Sequence, residues 1–355
     1  MKFLTRNSKR LSNFELLRIF SMFLIVLHHC TVHGVFNYWS NNDSILNHVN
    51  NLICFLLSSG GKLGVALFVM LTGYFSCQSK FKLKKWLDVY LQTLFFSILI
   101  VLIWFLINRF DAVKAISPSI FPLTKNTYWF VTSWLLLLTF TPILNIILGN
   151  TSPQVIKNYL IYGALIWSVF PTFKLEFQYS TLLYFMYLYL LGGSLRLGYV
   201  IISKRYFLFV SIFFLIFLAY LFKVFFGTSA TISLWKNLRY VEMNSVYVLV
   251  LSLWIFYVFG KLKINFSFIN WISSSMFGVY LLHDNNLIRP YLWHTLLNMD
   301  IAMNSPYFGI WAILISICVF CLCIVLDKIL SLIYLPLIGF IEKKVAKLKI
   351  LENYF

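Results

Sequence analysis

Charge is scarce in this sequence, and acidic charge is scarcest. Of 355 residues only 11 are Asp or Glu, and the four charged types together make 11% of the chain. A soluble globular domain carries about a quarter charged residues, so a solvated surface of ordinary composition is excluded. No polar segment is long enough to build a separate soluble core. No small-residue cleavage site follows the first apolar stretch, which therefore reads as a retained span rather than a removed signal peptide. Internal repeats and low-complexity tracts are missing. So is an inverted pair of Gly- or Pro-broken apolar segments, a mark of many secondary transporters. The six cysteines give no framework. Cys318 and Cys321 form a CxxC inside the apolar run ISICVFCLCIV, without the polar access or neighbouring ligands of a zinc or redox site, and no metal is expected.

What the sequence has in abundance is apolar length. Hydrophobic residues make 61% of it, and the mean hydropathy is +0.83. Ten segments approach the roughly 20 residues that a helix needs to cross a bilayer: 13–33, 51–76, 85–108, 128–148, 155–172, 180–198, 206–226, 243–260, 269–288 and 308–327. The expected fold is therefore an all-α polytopic membrane protein, multi-pass in the plasma membrane. GGKLG (Gly60 to Gly64) points to a break in the second span, and the run after 327 to an interfacial tail. One transmembrane domain is expected over 11–340, followed by a basic cytoplasmic tail over 341–355.

Lys and Arg number 29 and give a formal net charge of +18. Alternating the ten spans from a cytoplasmic N-terminus puts nineteen of them on the inner side and eight on the outer, with Arg18 and Lys62 inside spans. That asymmetry follows the positive-inside rule. It places both termini in the cytoplasm and accounts for most of the net charge without nucleic acid as a partner.

The first span, NFELLRIFSMFLIVLHHC, holds Glu15, Arg18, His28 and His29 where each is costly in lipid. Arg18 and His29 are eleven residues apart, which returns to within about 20° of the same face after about 16 Å of rise. His28 lies about 80° off that line, and Glu15 stands three residues before Arg18, in reach of pairing. One face thus carries a carboxylate, a guanidinium and an imidazole, and it should point into protein or a wet cavity. A second polar group, His283, Asp284, Asn285, Asn286 and Arg289, ends the ninth span near the same boundary as His29. A third, SKFKLKKW, supplies Lys80, Lys82, Lys84 and Lys85 at the opposite boundary, with Asp88 one turn on. Topogenic attraction to anionic lipid and phosphate binding are both open to it. Tyr128 and Trp129 fit an aromatic belt.

These stretches resemble the acyltransferase-3 family of integral membrane acyltransferases. The family's leading pattern, an acidic residue, then Leu-Arg, ten residues and His, appears as ELLRIFSMFLIVLHH with Glu15, Arg18 and His29. Its Gly-Val-x-x-Phe…Ser-Gly-Phe/Tyr segment appears as GVALFVMLTGYF, with Thr72 in place of Ser. The family's Arg-x-x-Arg and following Pro are replaced by the lysine cluster. Tyr-Trp-Phe at 128–130 and VYLLHDNN around His283 are also similar, and the likeness runs over about 11–340.

The resemblance implies an acetyl-CoA-dependent O-acetyltransferase acting on a hydroxyl of a cell-surface polysaccharide or its lipid-linked precursor. Acetyl-CoA, the glycan and membrane lipid are the expected partners. Some members carry an extra extracytoplasmic domain; this chain, ending at Phe355, is expected to complete the transfer itself or hand the group to a partner. Arg18, with Lys84 and Lys85, would hold the phosphates of acetyl-CoA, since Arg stays charged and forks onto phosphate oxygens. Glu15 would orient Arg18. The 16 Å to His29 is about a pantetheine arm. His29, with an ordinary pKa of about 6.5, would act as base or carry the acyl group itself. His283, Asp284 and Trp129 would position the acceptor. The competing class is an exporter of a glycan or lipid-linked sugar.

Overall fold

The computed structural model describes residues 11–35, 45–173, 175, 180–203, 205–206, 208–214, 217–218, 242–302 and 304–346. The seventh expected span, 206–226, and the tail after Ala346 fall largely outside the described residues. Among the described residues all regular structure is helical. The main helices are α1 (Ser12–Gly34), α2 (Ile45–Ser76), α3 (Leu83–Ile107), α4 (Arg109–Ile120), α5 (Trp129–Asn150), α6 (Pro153–Ala164), α7 (Thr181–Arg196), α8 (Val246–Lys261), α9 (Ser267–Ser273), α10 (Met276–His283) and α11 (Phe308–Val345).

Local chemistry sets several boundaries. Asn108 caps α4 by accepting from the Asp111 N–H at 3.3 Å. Ser152 caps α6, with Pro153 at the first helical position, where its missing N–H costs nothing. Ser245 caps α8 by accepting from the Val248 N–H at 3.2 Å. Elsewhere apolar length sets the helix. Among the described residues five helices are long and apolar enough to cross a membrane: Ser12–Gly34, Val49–Ser76, Leu83–Ile107, Trp129–Asn150 and Phe308–Val345.

The departures from the expected spans have physical reasons. The stretch 269–288 is not one helix; it turns at Ser274 and Ser275 between α9 and α10 and turns again after His283. Helix α11 continues 18 residues past Asp327 to Val345, so the apolar span and the tail expected after it are one rod. The GGKLG stretch lies within α2 without a break. Its glycines serve packing instead. A Cβ on Gly64 would run into the Ser21 carbonyl, and one on Gly192 into the Met70 carbonyl. Helix α1 and helix α7 therefore each approach the backbone of α2.

Helix α1 sits at the centre. It packs against α2, α8, α9, α10 and α11, and Leu17, Ser21, Val26 and Cys30 are sealed from any outside surface. The charged face expected from its sequence is buried with the rest: Glu15, Arg18 and His29 are all enclosed. The outer faces of α3, α5 and α11 are apolar, with Leu106, Ile146 and Leu332 exposed, as contact with lipid requires.

If backbone approach sets the α1–α2 spacing, a side chain at Gly64 must push the helices apart. Gly64→Val is expected to cost about 1–3 kcal/mol, the range for overpacking, read as a lower unfolding temperature of the detergent-purified protein. Gly149→Val, whose Cβ would meet nothing within 4 Å, is the control and should stay near wild type.

Candidate active site

Two groups of polar side chains lie along α1, about 16 Å apart by helix rise. At the first, Arg18 Nη1 donates to Glu15 Oε1 at 2.7 Å. The hydroxyl of Ser273, at the end of α9, donates to the other carboxylate oxygen of Glu15. The guanidinium also lies over the Phe75 ring, 5.4 Å from its centroid. Glu15 is thus held from two directions, and it fixes where Arg18 points.

Arg18 lines an apolar cavity together with Phe68, Thr72, Phe75, Lys85, Gln92, Phe130, Trp134, Phe277 and Tyr280. Thr72, which stands where the family pattern has Ser, accepts a hydrogen bond from Trp134 Nε1 at 3.1 Å. A smaller cavity adjoins it and shares Ser76, Lys85 and Leu138 as walls; Lys80 and Lys82 complete its basic rim. The two neighbouring lysines therefore divide. Lys85 lines both cavities. Lys84 faces α11, paired with Glu342 and 3.8 Å from Asp88 Oδ1. A 100° step along a helix separates them, enough to send one inward and the other to a structural pair.

At the second group, the turn after α10 brings His283 and Asp284 against His29. The hydrogen-bond chain fixes the tautomers. The Val279 carbonyl lies 2.6 Å from His283 Nδ1, and a carbonyl can only accept, so Nδ1 carries the proton. Nε2 of the neutral ring is then an acceptor, and it lies 2.9 Å from His29 Nδ1. His29 accordingly donates from Nδ1 and keeps a lone pair on Nε2. Asp284 Oδ1 lies 3.5 Å from His29 Nδ1, placed to stabilise an imidazolium. Arg289 Nη2 lies 3.0 Å from the same carboxylate oxygen and also donates to the Asp284 carbonyl at 3.1 Å. Tyr128 is in the core rather than in an interfacial belt. Its hydroxyl donates to the Leu281 carbonyl at 3.0 Å and accepts from Asn285 Nδ2 at 2.8 Å, which pins the turn.

His29 opens onto a chamber of about 240 Å³ whose walls include His28, His33, Lys62, Trp129, Asp284 and Arg289. His28 shares the wall, but its Nδ1 is committed to the Ser58 carbonyl. His33 was not singled out from the sequence, although four residues after His29 is the same helical face; the two ring centroids are 5.1 Å apart. Lys62 was noted only as a charge inside a span. His29, His33 and Asp284 each offer a donor atom within 4.8 Å of the others. The Arg289 guanidinium on Asp284 and the second cation Lys62 oppose a dication there.

Phe130 and Tyr280 line both this chamber and the Arg18 cavity. From the basic rim to His29 the cavities therefore form a series with shared walls, and two aromatic rings with centroids 5.6 Å apart divide the last pair.

Among the described residues the protein is all-helical, with a buried Arg–carboxylate pair towards one end of a helix apolar enough to cross a membrane and a tautomer-fixed histidine towards the other. The chain belongs to the acyltransferase-3 family: the family's acyltransferase domain matches residues 11–327. No curated protein and no solved structure gives a significant match.

The Glu15–Arg18 pair makes a stability prediction. Removing one partner leaves an uncompensated buried charge, which costs about 3–5 kcal/mol. Glu15→Ala should lower the unfolding temperature more than the double variant Glu15→Gln with Arg18→Met, which removes both charges. Thermal unfolding monitored by size-exclusion chromatography reads the order.

Proposed function

We propose that the protein moves an acetyl group from cytosolic acetyl-CoA to a hydroxyl of a cell-surface polysaccharide or its lipid-linked precursor. In this reading it is a ten-span plasma-membrane protein with both termini in the cytoplasm, and the Arg18 end faces inward. The single observation that carries the proposal is the series of cavities running from a lysine rim, past Arg18, to a histidine whose Nε2 is held as a lone pair.

Arg18 and Lys85 hold the phosphates of acetyl-CoA, with Lys80 and Lys82 adding charge at the rim; Lys84 supports them through Glu342 rather than by contact. The pantetheine arm lies in the apolar cavity among Phe68, Phe75 and Phe277, and the thioester passes between Phe130 and Tyr280. His29 Nε2 takes the proton of the sugar hydroxyl as its oxygen attacks the thioester carbonyl carbon. The tetrahedral intermediate collapses with cleavage of the C–S bond. The proton on His29 goes to the departing thiolate, leaving CoA and the ester. Asp284 stabilises the imidazolium while it exists, and His283 keeps the proton on Nδ1, so the lone pair always faces the chemistry. This is general acid–base catalysis, worth about 10²–10⁴ in rate.

Ester-linked acetate on the surface polysaccharide, measured by NMR, tests the assignment. At normal protein level His29→Ala should lose it by about 10²–10⁴, and Arg18→Ala should also lower it. His283→Phe, which removes the acceptor for His29 Nδ1–H, should fall between wild type and His29→Ala. Full acetylation in His29→Ala would sink the catalytic assignment. Loss of the glycan itself, rather than of its ester, would mark an exporter.

A further inference from the structure

The chamber around His29 holds more positive charge than the reaction needs. Lys62 lies well inside the apolar stretch Val49–Ser76 of α2, deep within a crossing helix. Its Nζ lies over the Trp129 ring, 5.5 Å from the centroid, and both side chains line the chamber. The other permanent cation, Arg289, is neutralised by Asp284. Among the described residues no carboxylate pairs with Lys62. Among the described residues the chamber therefore has one permanent positive charge in surplus before any of its three histidines takes a proton.

A cation at membrane depth is expensive and is retained where it meets a ligand or an ion path. A ligand that enters the chamber can supply the counter-charge that the described residues do not. Trp129 narrows the choice. A flat indole face beside an ammonium group suits a ligand with a broad face of C–H bonds and an anion at its edge. A neutral sugar would cover Trp129 and leave Lys62 without a counter-ion. A small free anion would pair with Lys62 and leave Trp129 bare.

We propose that the His29 chamber binds an acceptor sugar carrying an anionic group, a carboxylate or a phosphate, which pairs with Lys62 while a face of the ring lies on Trp129. The inference rests on the acyltransferase reading above and narrows its substrate to acidic glycans. Lys62 contributes affinity and register, placing the hydroxyl to be esterified next to His29 Nε2.

The test uses the intact protein in its own cell. Surface glycans from cells carrying wild type, His29→Ala, Lys62→Met or Lys62→Arg, at matched protein level, are separated by anion exchange into acidic and neutral fractions. Ester acetate in each is measured by proton NMR, and phosphorus NMR of the acidic fraction tells a phosphate source from a carboxylate one. The proposal expects His29→Ala to strip ester acetate from the acidic fraction alone. Lys62→Met should lower it there about tenfold, the loss of one charge-assisted contact, and Lys62→Arg should restore most of it. Loss from the neutral fraction in His29→Ala would overturn the anionic acceptor while leaving the acyltransferase reading standing. Wild-type acetylation in Lys62→Met would overturn the role of Lys62. Unchanged ester acetate in both fractions of His29→Ala would overturn the acyltransferase reading itself, and this proposal with it.

Discussion

A membrane helix that carries Glu15, Arg18, His28, His29 and His33 has no stable place against hydrocarbon. Each ionisable group at membrane depth must find protein or water, so α1 has to be wrapped. The rest of the architecture follows from that need. Helices α2, α8, α9, α10 and α11 close around it, and Gly64 lets the backbone of α2 come close enough to do so. Because Arg18 and His29 share one face of α1, enclosing that face places a guanidinium and an imidazole in connected space about 16 Å apart. Enclosure of α1 and formation of the site are the same packing event.

The two ends of α1 are held by different devices. At the Arg18 end a full charge pair, completed by the Ser273 hydroxyl, fixes a cation beside an apolar cavity. At the His29 end a relay of single hydrogen bonds from the Val279 carbonyl through His283 decides which nitrogen of His29 is basic. The first arrangement suits a permanent anion such as a phosphate, and the second suits a proton that must come and go. Between them stand Phe130 and Tyr280, aromatic rings that line both the Arg18 cavity and the His29 chamber.

Much of this was legible in the sequence because it is periodic. The common face of Arg18 and His29 follows from their spacing alone, and the long apolar runs that become α1, α2, α3, α5 and α11 can be counted directly. The pattern around His283 could be flagged as polar where a span should end. Contacts between helices were not legible. Nothing in SKFKLKKW says that Lys85 turns inward while Lys84 turns to Glu342, because Glu342 is more than 250 residues away. His33 and Lys62 become site residues only once α2 and the turn after α10 close the chamber. The GGKLG stretch carries one signal, small residues, that serves either a break or a close approach; packing against Ser21 selects the second. The single helix expected over 269–288 is two for a similar reason: apolar content was read correctly, but the turn at Ser274 and Ser275 that aims α10 at His29 has no strong local signature.

If an acyl group travels along this series of cavities, it enters at the lysine rim and leaves from His29 on the other side. Sealed proteoliposomes of one orientation test it most directly. Acetyl-CoA labelled in the acetyl carbon is supplied at the face carrying Lys80, Lys82 and Lys85, and the purified surface glycan of the source cell is enclosed at the face carrying His29. The account predicts ester-linked label on the enclosed glycan in wild type and almost none in His29→Ala. Label on the glycan only when donor and acceptor share one face, or equal label in His29→Ala, would contradict it.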